Sequence, residues 1–360
     1  MTMTIDAEFP GGNVIVDHVG EERIDLHQDL RDTDRDWFYW CFRVRGAGGG
    51  CVRFNFTAST AIGVRGPAMS TDQGASWRWL GADSVDGNAF HHAFKPDHHD
   101  VRFSFALPYQ LADWQRFTSV RSWLTTATLT RTRQNRDVPL ATVGRGPTRI
   151  FVSARHHCCE MLPNYAIEGL IDFLHSDTTL LERVTVDIVP LLDLDGVEAG
   201  DQGKGRLPRD HGRDYGGTSP YPEIAAIRSH LERTCPAIVL DLHCPWIRGH
   251  WNERIYLVGS ADPANAIEQQ RFVTAMVKTQ KGPLLIQKSG FLPYGTDWNT
   301  SANYTNGRSL PQFACGLPGT RLATSIELPY ANAEGTEVNA ISARAFGEDL
   351  ARGLMRYINS

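Results

Sequence analysis

Between residues 149 and 358, apolar runs of strand length alternate with amphipathic runs of helix length, and several of the strand-like runs end in charged or polar residues. No other feature constrains the fold of this chain as tightly. The strand candidates are 149–153, 184–191, 237–242, 254–258, 284–286 and 322–328; the helix candidates are 164–175, 223–234, 263–279 and 338–358. Near-continuous apolar strands are buried on both faces, and strands separated by helices return in the same direction. The region therefore predicts an α/β domain with a mainly parallel sheet. Asp262 before Pro263 marks a helix start, since the carboxylate caps the first turn and a proline there gives up no hydrogen bond.

The first hundred residues follow a shorter period. Trp37–Arg45 and Cys51–Thr57 read as strands joined through the glycine-rich 46–50, a hairpin pattern, and Val101–Ala106 alternates in the same way. Short strands between Gly, Asp and Asn turns predict an antiparallel β-sandwich over 1–108, followed by the α/β domain over 109–360. Residues 111–123 read as a helix entering that second domain, and 135–147 as a polar connection.

A chain of 360 residues has room for two such domains, and a net charge of −5 implies no attraction to nucleic acid or to an anionic membrane. No run is apolar for long enough to span a bilayer, and Met1–Asp6 lacks the basic and apolar regions of a leader. Seven cysteines without framework spacing are expected to be reduced thiols, which fits a cytoplasmic location.

The polar residues at the strand ends carry the chemistry. In open α/β sheets, sites form at the carboxyl ends of the strands. After the first apolar run come His157 and Glu160, three residues apart and able to face one point at a helix entry. Zinc accepts imidazole and carboxylate, and a catalytic zinc takes three protein ligands. His243, closing Asp241-Leu242-His243, is the third candidate. Glu327 ends the otherwise apolar 323–327, where a carboxylate is costly without a partner or a task; it suits proton transfer from water to a leaving amine. Asp193-Leu194-Asp195-Gly196 reads as a tight turn, because the further ligands of a calcium loop are lacking. His91-His92 and His98-His99, around Pro96 and Asp97, read as a solvated loop.

With these residues in view the chain resembles the zinc metallocarboxypeptidases, in the cytosolic-carboxypeptidase-like branch with an N-terminal β-domain. The resemblance runs through Trp37-Phe38-Tyr39, Phe42–Gly46, Ala154-Arg155-x-His157-x-x-Glu160, Glu168-Gly169-Leu170, Asp195-Gly196-Val197, Asp210-x-x-Arg213-Asp214-Tyr215, Asp241-Leu242-His243 and Ile326–Tyr330. It implies a mixed eight-stranded sheet flanked by helices, and one zinc per chain on His157, Glu160 and His243. Glu327 is then the general base and acid. Asp210 orients His157, Arg213 receives the terminal carboxylate of a peptide or protein tail, and Tyr304 closes over the substrate. Of Lys204 and Arg206, Arg206 is the expected oxyanion partner. The family's Asn before the carboxylate-binding arginine is here Gly212, so one hydrogen bond to a charged group is missing, worth about 1.5–3 kcal/mol.

Three other readings stay open at this point. A zinc amidohydrolase for N-acyl amino acids uses a similar ligand pattern. A catalytically silent peptide-binding protein would keep the fold. His156-x-x-Cys159 would offer zinc an alternative frame.

Overall fold

The computed structural model describes residues 3–305 and 307–360; Asn306, in the loop singled out around Tyr304, lies outside the described residues. Among the described residues, ten short strands come first: β1 (Thr4–Asp6), β2 (Ile15–Val19), β3 (Arg23–His27), β4 (Cys41–Arg45), β5 (Cys51–Phe56), β6 (Ala68–Ser70), β7 (Arg78–Trp79), β8 (Val85–Asp86), β9 (Ala89–Ala93) and β10 (Asp100–Ser104). They form two five-stranded sheets, ordered β1-β4-β10-β6-β7 and β2-β3-β5-β9-β8. All pairs are antiparallel except β3 with β5.

The expected hairpin does not form. β4 pairs with β1 and β10, whereas β5 pairs with β3 and β9. The glycine-rich connection carries the chain from one sheet to the other. Both strands then turn their apolar sides inward, and Phe42 meets Phe54 across the sandwich with ring centroids 5.4 Å apart. Trp40, Phe42, Phe54, Phe90 and Phe103 are fully buried there, at roughly 2–3 kcal/mol of transfer free energy each.

The second region contains β11 (Thr125–Arg131), β12 (Asp137–Gly144), β13 (Thr148–Ala154), β14 (Val184–Val189), β15 (Ile238–His243), β16 (Tyr256–Val258), β17 (Phe291–Leu292) and β18 (Leu322–Glu327). They make one eight-stranded sheet in the order β11-β12-β14-β13-β15-β18-β16-β17. The central β14, β13, β15 and β18 are mutually parallel. The 135–147 segment, read as a polar connection, is mostly strand β12, antiparallel to β11 and β14. β11 is threonine-rich and largely exposed, so the pair lacks the apolar signal of the central strands. Leu284 and Ile286 are buried but lie outside any strand.

Among the described residues, eight α-helices accompany the sheet: α1 (Leu111–Ser119), α2 (Leu162–Ser176), α3 (Thr178–Leu181), α4 (Leu194–Ala199), α5 (Pro222–Thr234), α6 (Pro263–Thr279), α7 (Leu310–Ala314) and α8 (Ala340–Ile358). α2, α6 and α8 pack in the main core with one face of the sheet, and α5 and α7 build a separate core with Phe151, Val239 and Ala323 of the strands. Helix α1 stops before Val120, which is 77% exposed; Arg121 instead donates back to the Phe117 carbonyl at 2.6 Å and pairs with Asp172. Asp262 caps α6 through the amides of Ala264 and Asn265. The two regions share a core, where Tyr330 packs on Phe38 and Phe105. Among the described residues no helix is long and apolar enough to cross a membrane.

Candidate metal centre and active site

Parallel register brings the strand-end residues together. His243 of β15 lies directly opposite Glu327 of β18, and the neighbouring β13 ends level with Leu242. Beyond β13 the chain reverses at Arg155, which has φ +68°, a conformation costing a non-glycine residue about 1–3 kcal/mol. The buried Arg155 side chain holds it there. Nε donates to the Cys158 carbonyl at 2.8 Å, and Nη1 donates to the Tyr109 carbonyl and Asn164 Oδ1, both at 2.9 Å. The reversal returns His157 and Glu160 to the sheet edge. Arg155 stood in the sequence motif without a role; its backbone angle has no sequence signal.

His157 Nδ1 lies 2.6 Å from Glu160 Oε1, and His243 Nδ1 lies 2.7 Å from Glu160 Oε2. All three side chains are buried. The opposite ring nitrogens have their own carboxylates. His157 Nε2 is 3.1 Å from Asp210 Oδ1, and His243 Nε2 is 2.8 Å from Asp241 Oδ2. Asp241 sits on β15 two residues before its histidine and also accepts from Ser153 Oγ at 2.9 Å. Its other neighbour, His156, lies 2.8 Å away and bonds Tyr215 Oη at 2.7 Å. Asp241 is a polar strand-end residue in the sequence, and its place on the same strand face as His243 is the signal for this pairing.

This donor set fits a divalent cation. Both imidazoles aim the same nitrogen at one carboxylate, and each back nitrogen is fixed by an aspartate, the arrangement that sets tautomer and ring angle at metal sites. The field asks for positive charge. Burial opposes ionisation of Glu160, but His157 and His243 outweigh it and lower its pKa to about 2. Burial also disfavours a charged His243, yet Asp241 and Glu160 raise its pKa well above the usual value. His157, Glu160 and His243 are close enough to share one ion.

Glu327 is buried, and its Oε2 has no hydrogen-bond partner. Burial raises its pKa to about 7; Glu160 adds to the rise, while His243, Lys204 and His157 oppose it. A carboxyl held near neutrality can both take up and release a proton.

The cations come from loops. Arg213 donates from Nε to the Asn303 carbonyl at 3.1 Å and from Nη1 to the Gly212 carbonyl at 2.9 Å, and its guanidinium lies 4.9 Å from the Tyr304 ring. Tyr304 Oη donates to Asn299 Oδ1 at 3.0 Å. Lys204 is within electrostatic reach of Arg213, Asp210, Glu160 and Glu327; burial, then Arg213, lowers its pKa. Arg206, expected at the oxyanion, lines the same cavity as Lys204 and Arg213 but is held by carboxylates. Its Nη2 lies 2.7 Å from Asp193, 3.1 Å from Asp201 and 3.6 Å from Asp32. These carboxylates occupy the Arg206 guanidinium, whereas Lys204 makes no ion pair among the described residues. Lys204, Asp210 and Arg213 line a cavity of about 260 Å³ whose wall includes Arg35 from the first region.

Gly212 has a structural reason. A Cβ there would lie 2.8 Å from His157 Nε2 and 3.1 Å from Asp210 Oδ1. Any side chain at this position, asparagine included, collides with the His157–Asp210 pair as it stands here.

Other expectations resolve differently. Asp193 is no mere turn residue: it caps α4, accepting from the Gly196 amide at 3.0 Å. His91 and His92 lie on β9, and His92 is buried against Phe94 and Phe103, with its pKa lowered to about 4 by burial and by His98. No metal-ligand grouping among the described residues includes these histidines. His156 faces Asp241 and Tyr215, whereas Cys159 faces Tyr330 Oη at 3.7 Å, so the two do not share a ligand point. Burial raises the Cys159 thiol to about 12, which keeps it protonated. Two other buried groupings lie near: His156, Asp241 and His243, which shares His243 with the candidate site, and Asp193, His211 and Glu223, where Arg206 is paired with Asp193.

No family model matches the chain. Solved structures match over its whole length. A metallo-carboxypeptidase from Burkholderia cenocepacia superposes with a TM-score of 0.81 at 20% identity, covering 100% of this chain and 99% of that one. The chain has the metallo-carboxypeptidase fold. A second such structure, from Pseudomonas aeruginosa in complex with (2-guanidinoethylmercapto)succinic acid, gives 0.77 at 22% identity, with 99% of each chain covered. By sequence, an uncharacterized protein of Zymomonas mobilis is 24% identical over 259 residues, 68% of each chain. Cytosolic carboxypeptidase 2 of Xenopus tropicalis is 23% identical over 322 residues, 75% of this chain; the match spans only 33% of that longer protein.

Proposed function

We propose that the chain is a zinc metallocarboxypeptidase that removes the C-terminal residue of peptides or protein tails, with residues 1–108 as a β-sandwich domain and 109–360 as the catalytic domain. His157, Glu160 and His243 hold one zinc. When bound, zinc supplies Lewis acidity and lowers the pKa of water at the site. Asp210 and Asp241 fix the two imidazoles in the ligating tautomer. Glu327 takes the proton of the attacking water and delivers it to the leaving nitrogen. Lys204 faces the negative charge that develops on the carbonyl oxygen. Arg213, oriented by its bonds to the Asn303 and Gly212 carbonyls, keeps Nη2 for the substrate's terminal carboxylate, with Tyr304 stacked over it.

The observation that carries this reading is the parallel register that sets His243 beside Glu327, with Glu160 bridging both imidazoles. Mass spectrometry of peptides with varied C-termini tests it. The zinc-loaded protein is expected to release terminal residues one at a time, and Glu327→Gln to release none. Release from N-acyl amino acids alone would favour the amidohydrolase. Zinc bound at one per chain without turnover of either substrate would favour a binding protein.

A further inference from the structure

The loop that presents Lys204 has no regular structure of its own. It runs from the end of α4 at Ala199 to the short 3-10 turn at His211, and it is held largely from the first region of the chain. Asp32 lies in the segment between β3 and β4, and its side chain is 8% exposed. Its Oδ1 accepts from the Gln202 amide at 2.9 Å, and its Oδ2 accepts from the Gly203 amide at 2.8 Å. Its own carbonyl accepts from the Leu207 amide at 3.0 Å. Next to it, Thr33 Oγ1 donates to the Lys204 carbonyl at 2.6 Å. Lys204 is therefore gripped before, at and after its own peptide unit by two consecutive residues about 170 positions away. Further back, the Gln202 side chain is tied to the backbone of Tyr39, accepting from its amide at 2.8 Å and donating to its carbonyl at 2.9 Å.

We propose that Asp32 is a positioning residue: through the Gln202 and Gly203 amides it fixes the Lys204 loop, so that the β-sandwich supplies part of the active site's geometry. The inference rests on the reaction proposed above. A carboxylate accepting two consecutive amides makes charge-assisted bonds, which are shorter and stronger than neutral ones. A neutral side chain cannot replace both bonds. Without them the ammonium group keeps its charge but loses its place, and a displacement of about 1 Å at a reacting centre can lower a rate about 100-fold.

The experiment uses the full-length, zinc-loaded chain, with Asp32→Ala, Asp32→Asn, Lys204→Met and the double variant Asp32→Ala/Lys204→Met. Asp32→Ala is expected to lower kcat about 10- to 100-fold, with KM changed less than about threefold. Asp32→Asn, which keeps one acceptor, should fall between Ala and wild type. The double variant should be no slower than Lys204→Met alone, because a misplaced lysine and an absent one are equivalent. Zinc affinity, measured by chelator competition, should stay within about twofold of wild type in both Asp32 variants. A purely structural role would instead multiply with the Lys204→Met loss and weaken zinc binding; either result overturns the inference, as does an Asp32→Ala kcat within threefold of wild type. Hydrogen exchange at the Gln202 and Gly203 amides gives a readout free of activity, expected at least tenfold faster in Asp32→Asn; unchanged exchange also overturns the inference. Faster exchange in a protein whose wild type releases no residue would retain the brace but overturn its catalytic role and the proposed reaction together.

Discussion

The candidate site is built in two ways. Its anionic and metal-facing half sits on the sheet: His243 and Glu327 are neighbours on adjacent parallel strands, and His157 and Glu160 follow a third. Its cationic half sits on loops: Lys204 and Arg213 between α4 and α5, and Tyr304 between β17 and α7. Strand register places a side chain through a ladder of backbone hydrogen bonds that would have to break together. A loop residue has no such ladder, and each cation here is held by separate bonds from distant segments, such as Thr33 to Lys204 and Asn303 to Arg213. Sheet-borne residues are thus placed rigidly, while the loop-borne residues depend on distant neighbours for their position.

Substitutions on each side should separate these contributions. The largest effect belongs to the sheet. Glu327→Gln should lower kcat about 1,000-fold with zinc content unchanged, measured by turnover beside metal analysis, since general acid–base groups contribute about 10²–10⁴. On the loop side, Arg213→Ala should raise KM about 10- to 150-fold and leave zinc affinity alone, the cost of one bond to a charged carboxylate; a lowered kcat at unchanged KM would mean that Arg213 acts elsewhere. Asp241→Asn should weaken zinc binding about 10- to 100-fold in chelator competition, because the amide no longer fixes the His243 tautomer. Gly212→Ala tests the join between the halves. Its Cβ would press on His157 Nε2 from 2.8 Å, so zinc affinity should fall, by up to about tenfold, with backbone adjustment limiting the loss.

The smallest effect concerns pH. Burial raises the folded-state pKa of Glu327 to about 7, above the usual carboxyl value. In the metal-free chain its stability contribution is therefore complete below about pH 4.5 and is lost as pH rises through 7. Glu327→Gln removes that loss. The thermal midpoint of the variant relative to wild type should rise by a few degrees between pH 5 and pH 8, and zinc should shrink the difference by adding positive charge beside the carboxylate. A difference that stays flat with pH would mean that Glu327 is ionised throughout.

Legibility in the sequence follows the same division. The central strands were readable because burial on both faces leaves a continuous apolar run, and Glu327 stood out as a carboxylate ending one. His157 and Glu160 were readable because their spacing is local. The β11–β12 pair was not, since an exposed, threonine-rich edge lacks an apolar pattern. The β4–β5 connection had the composition of a hairpin, yet the strands joined different sheets; alternation fixes which side of a strand is buried but not which strand lies beside it. Arg206 and Lys204 are two residues apart in one glycine-rich loop, and composition cannot say which faces the metal ligands. The structure shows Asp32, Asp193 and Asp201 clustered around Arg206, a long-range arrangement that composition does not encode.

The amino-acid sequence by itself determined the classes of element and the strand ends that carry polar residues, because each depends on periodicity or spacing within a few residues. Only the tertiary structure decided the strand partners in the sandwich, the contact that keeps Gly212 free of a side chain, and the brace from Asp32 to the Lys204 loop. These rest on bonds between residues as far apart as Asp32 and Gly203, and they form once packing has brought those segments together. Local sequence encodes the period of an element; the free energy of long-range contact selects what that element meets.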